Sequence, residues 1–555
     1  MASETLLTRA EATDYRETSR HSDVVAFVDA LVARTPLVTK VSLGASGEGQ
    51  DMVAMVLGGP DPRTARKRKK AVVMVEANIH AGEVEGKEMV LALARDLTVG
   101  PLKALGKKLL EKLCLVLIPD FNPDGNDRIS PQNRALDLAQ LEGQVNPPGG
   151  VGMRYTGEGW NLNRDNMKQE AVETRNLARF YQEWWPEVFI DCHTTDGSLH
   201  AFDLTYDTSH GNEALFGELR QWNRKFLDRV AKQVEKRHDF RSFWYGNYVV
   251  EDQPSSGWHT YPALPRFGSH YRGLLGRVDV LLETYSYISF ERRCHVMRAW
   301  LLELFRASAQ QSDELRAVTQ AEAERILRRG EATDPRERVG INYGVARRDA
   351  GGALVFDYPA YALDGDEAAI VAYDEASLKA RKYPGDKEKK YRAPHHRTFV
   401  PTHEVSTPVA YIVPAALGPR LAGHGLAFQP LPADTELVVD SYRIVAREQT
   451  FSPDVAAAVP PPGQAEVPLS AKPPPKRFET VLTVSPERRR ISFAAGTLVV
   501  PTAQRAGTLA VYLLEPHADD GLARWQYLDA MLDVGGWYPI HRVVEAPEPL
   551  KTKTE

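Results

Sequence analysis

Cysteine is close to absent: the chain has three in 555 residues, Cys114, Cys192 and Cys294, and they cannot all pair with one another. A disulfide framework is therefore excluded as the source of stability. Two of the three stand in apolar runs, where a thiol behaves as a small buried hydrophobe. Long apolar stretches are missing too, and none reaches the length of a membrane span, so no membrane role is expected. The opening M-A-S-E-T-L-L-T-R-A-E-A-T-D lacks the apolar core of a signal peptide. As it stands the chain reads as cytoplasmic, and as periplasmic or secreted if a leader has been removed. Charge of one sign is not in excess. With 69 Lys and Arg against 74 Asp and Glu the formal charge is −5, which gives no general drive towards nucleic acid, and none is expected as a partner. What remains is the composition of a folded globular protein, 43% hydrophobic and 26% charged. The chain is too long for one core, and two or three domains are expected.

The stretch 72–88, V-V-M-V-E-A-N-I-H-A-G-E-V-E-G-K-E, sets a β-branched run directly against His80 and Glu83. The run reads as a buried strand, the two polar residues as a short turn with Gly82 between them, and the apolar-periodic residues from Val84 as a helix. Both side chains then sit at the carboxyl end of a strand, the edge where ligands collect in open α/β sheets. An imidazole and a carboxylate together suit a borderline-soft divalent ion, above all zinc. In isolation such a pair is most often a polar turn before a helix.

Elsewhere the chain repeats the pattern. Residues 22–34 have helical apolar spacing, and 38–59 read as two strands around the Gly-rich G-A-S-G-E-G-Q. The basic run 66–70 reads as a solvated loop. A second apolar strand at 113–118 leads into the turn N-P-D-G, residues 132–155 read as a surface loop, and N-L-N-R precedes a helix that Pro186 stops. V-F-I-D-C-H is a third buried strand, and V-D-V-L-L-E-T-Y a fourth. Strands alternating with helices indicate an α/β fold, a mixed, largely parallel sheet with helices on both faces.

His193 ends its strand as His80 does, so two histidines and Glu83 can meet over one sheet edge. A His₂Glu set leaves the fourth zinc position open for water, the arrangement of a catalytic site. Asp191 lies on the same strand face as His193 and suits a supporting role to a metal ligand. Glu283 closes the last strand. A carboxylate there is costly unless it is paired or used; its functional reading is a group that takes a proton from zinc-bound water and passes it to the leaving group.

The hairpin with G-A-S-G-E-G-Q, then H-A-G-E, N-P-D-G, N-L-N-R, E-A-V-E-T, I-D-C-H and L-L-E-T-Y, in that order, resembles the zinc metallocarboxypeptidases of the carboxypeptidase A-like family over roughly residues 20–305. Carboxypeptidase A is itself an example in the general rule for His₂Glu zinc sites, so the order of the other motifs is the independent part. The resemblance implies one zinc per chain on His80, Glu83 and His193, with Glu283 as general acid/base. It implies Asn163 and Arg164 as the holders of a peptide's C-terminal carboxylate, a task that suits a planar guanidinium beside an amide. The arginine that polarises the scissile carbonyl has two candidates, Arg154 and Arg134, with Arg154 preferred, and Tyr271 is the candidate for the mobile tyrosine that caps substrate. Gly82 departs from the family pattern, standing where many relatives have an arginine.

Beyond residue 305 the resemblance fades. Residues 308–329 read as a polar amphipathic helix. After 339, short β-rich runs such as P-V-A-Y-I-V-P, T-E-L-V-V-D-S-Y-R-I-V and T-L-A-V-Y-L-L are separated by turn residues, which predicts a sandwich. The Pro-rich 459–476 reads as an extended loop, and His395 and His396 as part of a solvated face. The expected division is a catalytic domain over 1–330 with a linker helix, and a β-rich accessory domain over 331–555 that supports the active-site rim. The expected activity is zinc-dependent removal of C-terminal residues from peptides. The alternatives are an amidase or deacylase of the aspartoacylase-like branch, and a non-catalytic binder on the same scaffold.

Overall fold

The structure, a computed structural model, describes residues 5–343, 345–348, 354–357, 361–362, 367–385, 387–452 and 478–545. The apolar runs become the middle of an eight-stranded sheet. Its strands are β1 (Val38–Ala45), β2 (Asp51–Leu57), β3 (Ala71–Ala77), β4 (Leu113–Ile118), β5 (Val188–Thr195), β6 (Leu204–Asp207), β7 (Ser242–Trp244) and β8 (Val278–Tyr285), in the order β1-β2-β4-β3-β5-β8-β6-β7. The four central strands β4, β3, β5 and β8 run parallel, the hairpin β1–β2 joins β4 antiparallel, and β6 joins β8 antiparallel. β3 and β4 are buried at every position, as strands covered on both faces must be.

Period-2 alternation sorts the sheet's side chains into two cores. Val73, Val75, Ile190, Cys192, Val280 and Leu282 face the helices His21–Arg34, Glu85–Thr98, Glu213–His238 and Phe290–Gln310. Val72, Met74, Val116 and Phe189 face the other way, against Val172–Trp184 and Gly268–Leu274. Trp185 ends the first of these in a left-handed conformation at φ 45°, immediately before Pro186, which cannot continue the helix. The polar helix expected at 308–329 is Ser312–Glu331, following Phe290–Gln310 after a break at Gln311. The basic run expected as a loop begins in a short helix, Pro62–Lys67. Among the described residues no helix is long and apolar enough to cross a membrane.

The second core does not stop at residue 330. Tyr411, Val413, Val500 and the helix Gly507–Leu514 belong to the same buried cluster as Phe180, Phe189 and Tyr271. That helix occupies the run T-L-A-V-Y-L-L, expected as a strand. All eight of its residues are buried, and an apolar run with no alternation cannot be assigned by period alone. The region is β-rich as expected, and its largest described sheet is six-stranded and antiparallel, dominated by the long hairpin of Thr435–Phe451 with Phe478–Phe493; its other described strands form two-stranded pairs or join strands of the first part. The Gly507–Leu514 helix shares the core where a sandwich would set a second sheet. The strand Glu388–His396 adds in parallel to Trp258–His259, so His395 is buried against Phe243, with ring centroids 5.7 Å apart, and is not on a solvated face. The Pro-rich stretch 459–476 lies outside the described residues.

Gly330 marks how closely the two parts meet: a Cβ there would collide with the backbone of Thr502 and Ala503, whereas one at Gly217 would meet nothing within 4 Å. Gly330→Ala is expected to lower stability by about 1–3 kcal/mol, the usual cost of overpacking. Gly217→Ala, in a helix with open space, is expected to raise it by up to about 1 kcal/mol. Thermal unfolding of the two variants, with shifts of opposite sign, checks both.

Candidate active site

Because β3, β5 and β8 are parallel neighbours, their carboxyl ends open on one edge. His193 and Glu283 are paired in register across β5 and β8, so their side chains leave the sheet on the same face. β3 ends at Ala77, Asn78 takes a left-handed conformation at φ 66°, and the following turn closes through a Glu83 amide to His80 carbonyl hydrogen bond of 2.8 Å. The turn carries both polar side chains over the edge, and the helix Glu85–Thr98 starts at once.

His80, Glu83 and His193 are brought together there. All three are buried, and their donor atoms lie within 4.8 Å of one another. His80 Nδ1 is 3.1 Å from Glu83 Oε1, and His193 Nδ1 is 2.9 Å from Glu83 Oε2. The other ring nitrogens are held from outside: His80 Nε2 lies 3.3 Å from Asn161 Oδ1, and His193 Nε2 lies 2.9 Å from Asp191 Oδ1. Partners at Nε2 fix the ring orientations and leave Nδ1 turned inward, the usual way a ligating imidazole is presented.

The electrostatics fit a cation. Burial, with Arg154 adding to it, pulls His80 down to about 3, so it is neutral. Burial alone would push Glu83 up, but His80, Arg134 and His193 outweigh it and hold the carboxyl well below its usual range. A neutral imidazole and an ionised carboxylate are the forms that bind metal. Around His193, burial disfavours a positive charge, but Asp191, Glu283 and Glu83 outweigh it. The site therefore calls for positive charge at His193, as a proton or as a metal ion. Two imidazole nitrogens and one carboxylate are a donor set for zinc. Burial pushes Glu283 up to about 8; Glu83 and Asp191 add to the rise, and His193 and Arg154 oppose it.

The remaining expected residues fall in different places. Arg134 and Arg154 both reach the cluster, donating to Glu83 Oε1 at 3.0 and 3.2 Å. Arg134 is further tied to Gln144 and the Thr194 carbonyl. Asn163 and Arg164 form a 3₁₀ turn, Leu162–Arg164, beside the histidines; Asn163 Nδ2 is 3.5 Å from His193 Nε2, and the Arg164 guanidinium stands 4.2 Å from the Phe267 ring centre. Tyr271 is a correction. It is buried in the helix Gly268–Leu274 with its hydroxyl 2.9 Å from His424 Nδ1, packed in the second core, and has no freedom to swing over a substrate. Sequence reasoning missed Tyr245, which lies within electrostatic reach of Glu283 and Arg164, with its hydroxyl bonded to Thr195. It also missed Asn161 and Arg272. Asn161 is the first residue of N-L-N-R, in which only the third and fourth residues were given roles; Tyr245 and Arg272 stand in no recognisable motif.

Residues 24–263 match the zinc carboxypeptidase family. Carboxypeptidase 2 of Trichophyton tonsurans is 23% identical over 193 residues, 34% of this chain and 31% of that protein. Probable carboxypeptidase 2 of Arthroderma benhamiae is 23% identical over 193 residues, 34% of this chain and 32% of that protein. The matches thus span about a third of the length of these curated relatives. Among solved structures, a metallo-carboxypeptidase from Burkholderia cenocepacia is 21% identical, covering 52% of this chain and 69% of its own at a TM-score of 0.37. A metallo-carboxypeptidase from Pseudomonas aeruginosa, in complex with (2-guanidinoethylmercapto)succinic acid, is 16% identical, covering 53% and 69% at a TM-score of 0.38. The matched family region contains the three candidate metal ligands and ends before Glu283.

Each candidate ligand supplies one of three donors, so His80→Ala and His193→Ala are each expected to lose most bound divalent metal, read by elemental analysis of purified protein. Full retention in both would exclude this cluster as the metal centre.

Proposed function

We propose that the chain is a zinc-dependent carboxypeptidase that hydrolyses the last peptide bond of substrates with a free C-terminal carboxylate, using one zinc per chain. The observation that carries the reading is the buried His80–Glu83–His193 cluster with Glu283 in register beside His193. His80, Glu83 and His193 would hold the ion. Bound zinc supplies Lewis acidity and lowers the pKa of a water at the site. Glu283 accepts the proton of that water and delivers it to the leaving amine, a role for which burial, by raising its carboxyl above the usual range, makes it a stronger base than an exposed glutamate. Arg154 donates hydrogen bonds to the oxygen that becomes negative at the tetrahedral stage. Asn163 and Arg164 bind the terminal carboxylate and so select the end of a chain over its middle.

Two substitutions test the assignment. Arg164→Ala is expected to damage cleavage of free-acid peptides far more than cleavage of the same peptides with amidated C-termini. Equal loss on both would argue for a structural arginine, and for an endopeptidase or the amidase alternative. Glu283→Gln keeps shape but cannot accept a proton, so zinc-loaded variant is expected to bind substrate while kcat falls by at least the roughly 10²–10⁴-fold that general acid/base catalysis contributes. Stopped-flow or steady-state rates within a few-fold of wild type would remove Glu283 as the proton carrier.

A further inference from the structure

Residues 266–272 lie behind both the Asn163–Arg164 turn and the metal-ligand cluster. The Phe267 ring packs under the Arg164 guanidinium, and the Gly268 amide donates to Asn163 Oδ1 at 2.9 Å. Arg272 donates to Asp191 at 3.0 Å, and Asp191 stands against His193. The place of this segment therefore sets the distance between the metal cluster and the candidate carboxylate clamp.

Its first residue is gripped by the C-terminal region, outside the family match. Arg266 donates to Asp520 twice, from its backbone amide at 2.6 Å and from Nε at 2.9 Å, and to Glu479 from Nη1 at 3.1 Å. All three residues are buried. Asp520 also accepts from Trp525 Nε1 at 2.9 Å, and the Trp525 ring lies 4.7 Å from the Arg266 guanidinium. The chain that follows Arg164 is held from the same side. Lys168 Nζ lies 3.8 Å from the Trp525 ring centre, and the Tyr527 hydroxyl shares its one proton between the Lys168 carbonyl at 3.2 Å and Glu170 at 2.9 Å. Asn166 Nδ2 donates to the Arg266 carbonyl at 3.1 Å, which ties the two gripped segments to each other. A buried ion pair adds little net stability, because desolvation cancels much of its attraction, but it holds its partners in one geometry.

We propose that the C-terminal region is a positioning scaffold for the substrate's terminal carboxylate. The buried Arg266–Asp520 pair, seconded by Tyr527, fixes the Asn163–Arg164 turn at the distance from the metal cluster that one C-terminal residue requires. Arg266, Asp520 and Tyr527 are positioning residues, acting through Phe267, Gly268 and Lys168 and not on substrate. This rests on the carboxypeptidase reading above.

The test uses full-length, zinc-loaded protein carrying Asp520→Asn, which keeps the shape of the side chain and removes its charge. KM for free-acid peptides is expected to rise about tenfold or more with kcat held within about threefold, since the displaced clamp weakens charge-assisted hydrogen bonds to the terminal carboxylate and takes no part in the proton transfers. Zinc content is expected to stay at the wild-type level, and amide exchange over residues 161–170 and 266–272 to quicken. Should Asp520→Asn not fold, Tyr527→Phe keeps the ring and removes the shared hydrogen bond, with a smaller rise in KM and the same exchange signature expected. Wild-type KM and wild-type exchange in a folded variant overturn the proposal. So does a uniform fall in kcat/KM on all substrates that tracks lost zinc or lost melting temperature. If wild type itself cleaves no free-acid peptide, the carboxypeptidase reading has failed. Exchange over the two segments then still decides the scaffold: faster exchange in Asp520→Asn upholds the coupling, and unchanged exchange overturns it.

Discussion

A charge taken out of water has to be met by another, and beneath the metal-ligand cluster that requirement falls on Arg272. Its guanidinium pairs with Asp191 at 3.0 Å and with Asp279, stands 4.0 Å from Glu76, and lies 3.8 Å from the Phe189 ring centre. All four ionisable groups are buried. Burial opposes ionisation of Asp191, yet His193 and Arg272 outweigh it and bring the carboxyl down to about 2. Glu76 goes the other way: burial, with Asp191 adding to it, pushes its carboxyl well up, and neither of its oxygens finds a hydrogen-bond donor. Removing one member of a buried pair typically costs about 3–5 kcal/mol, because the other is left unmet. The helix Gly268–Leu274 must therefore sit where Arg272 can reach Asp191, and from beyond residue 330 His424 meets Tyr271 within that helix while Asp520 and Glu479 hold Arg266 just before it.

That arrangement changes what the β-rich region is. The six-stranded sheet keeps a small core of its own around Ile412, Leu437, Val439, Val499 and Val543, but a unit resting on that core alone would touch the sheet domain through a polar, adjustable surface of modest size. Here Gly507–Leu514 and the strands around it complete the core on one face of the eight-stranded sheet, and His424, Asp520 and Tyr527 insert hydrogen bonds among the residues behind the site. The face that receives them is the one from which Asp191 and His193 project. The expectation from sequence is support of the rim; these contacts reach residues beneath the site.

The grouping of the candidate metal ligands was legible because their signals are local. His80 and Glu83 share one turn, and His193 and Glu283 each close an apolar strand, so reading the strands was enough to bring all four to one edge. Asn163 and Arg164 were legible through N-L-N-R for the same reason. Tyr271 was misplaced because a tyrosine near a Gly-rich turn carries no sign of which way its helix will face, and the partner that fixes it, His424, is 153 residues away. Tyr245 was missed because its place beside Glu283 depends on β6 and β7 adding to the far edge of the sheet, an ordering no local pattern states. The Gly507–Leu514 helix was read as a strand because it is apolar all round, and only its surroundings decide between the two.

Gly82 and the two arginines raise a question of capacity at Glu83. A Cβ on Gly82 would come within 2.6 Å of Arg134 Cδ and 2.9 Å of the Gly152 carbonyl, so the stem of Arg134 fills the space that a side chain at 82 would take. Arg134 reaches this space from the 132–155 loop, and its Nη1 meets Glu83 Oε1. Glu83 Oε1 then faces Arg134, Arg154 and His80 at 3.0, 3.2 and 3.1 Å, yet one carboxylate oxygen has two lone pairs. Three partners exceed that capacity, and a metal ion on the same oxygen would exceed it further. Arg134 is anchored elsewhere by Gln144 and Thr194, and its side chain is 12% exposed; the Arg154 side chain is 30% exposed. Of the two, Arg154 is the more exposed and Arg134 the more firmly anchored, a difference that favours Arg154 for the role proposed for it above and leaves Arg134 as the counter-charge beside Glu83.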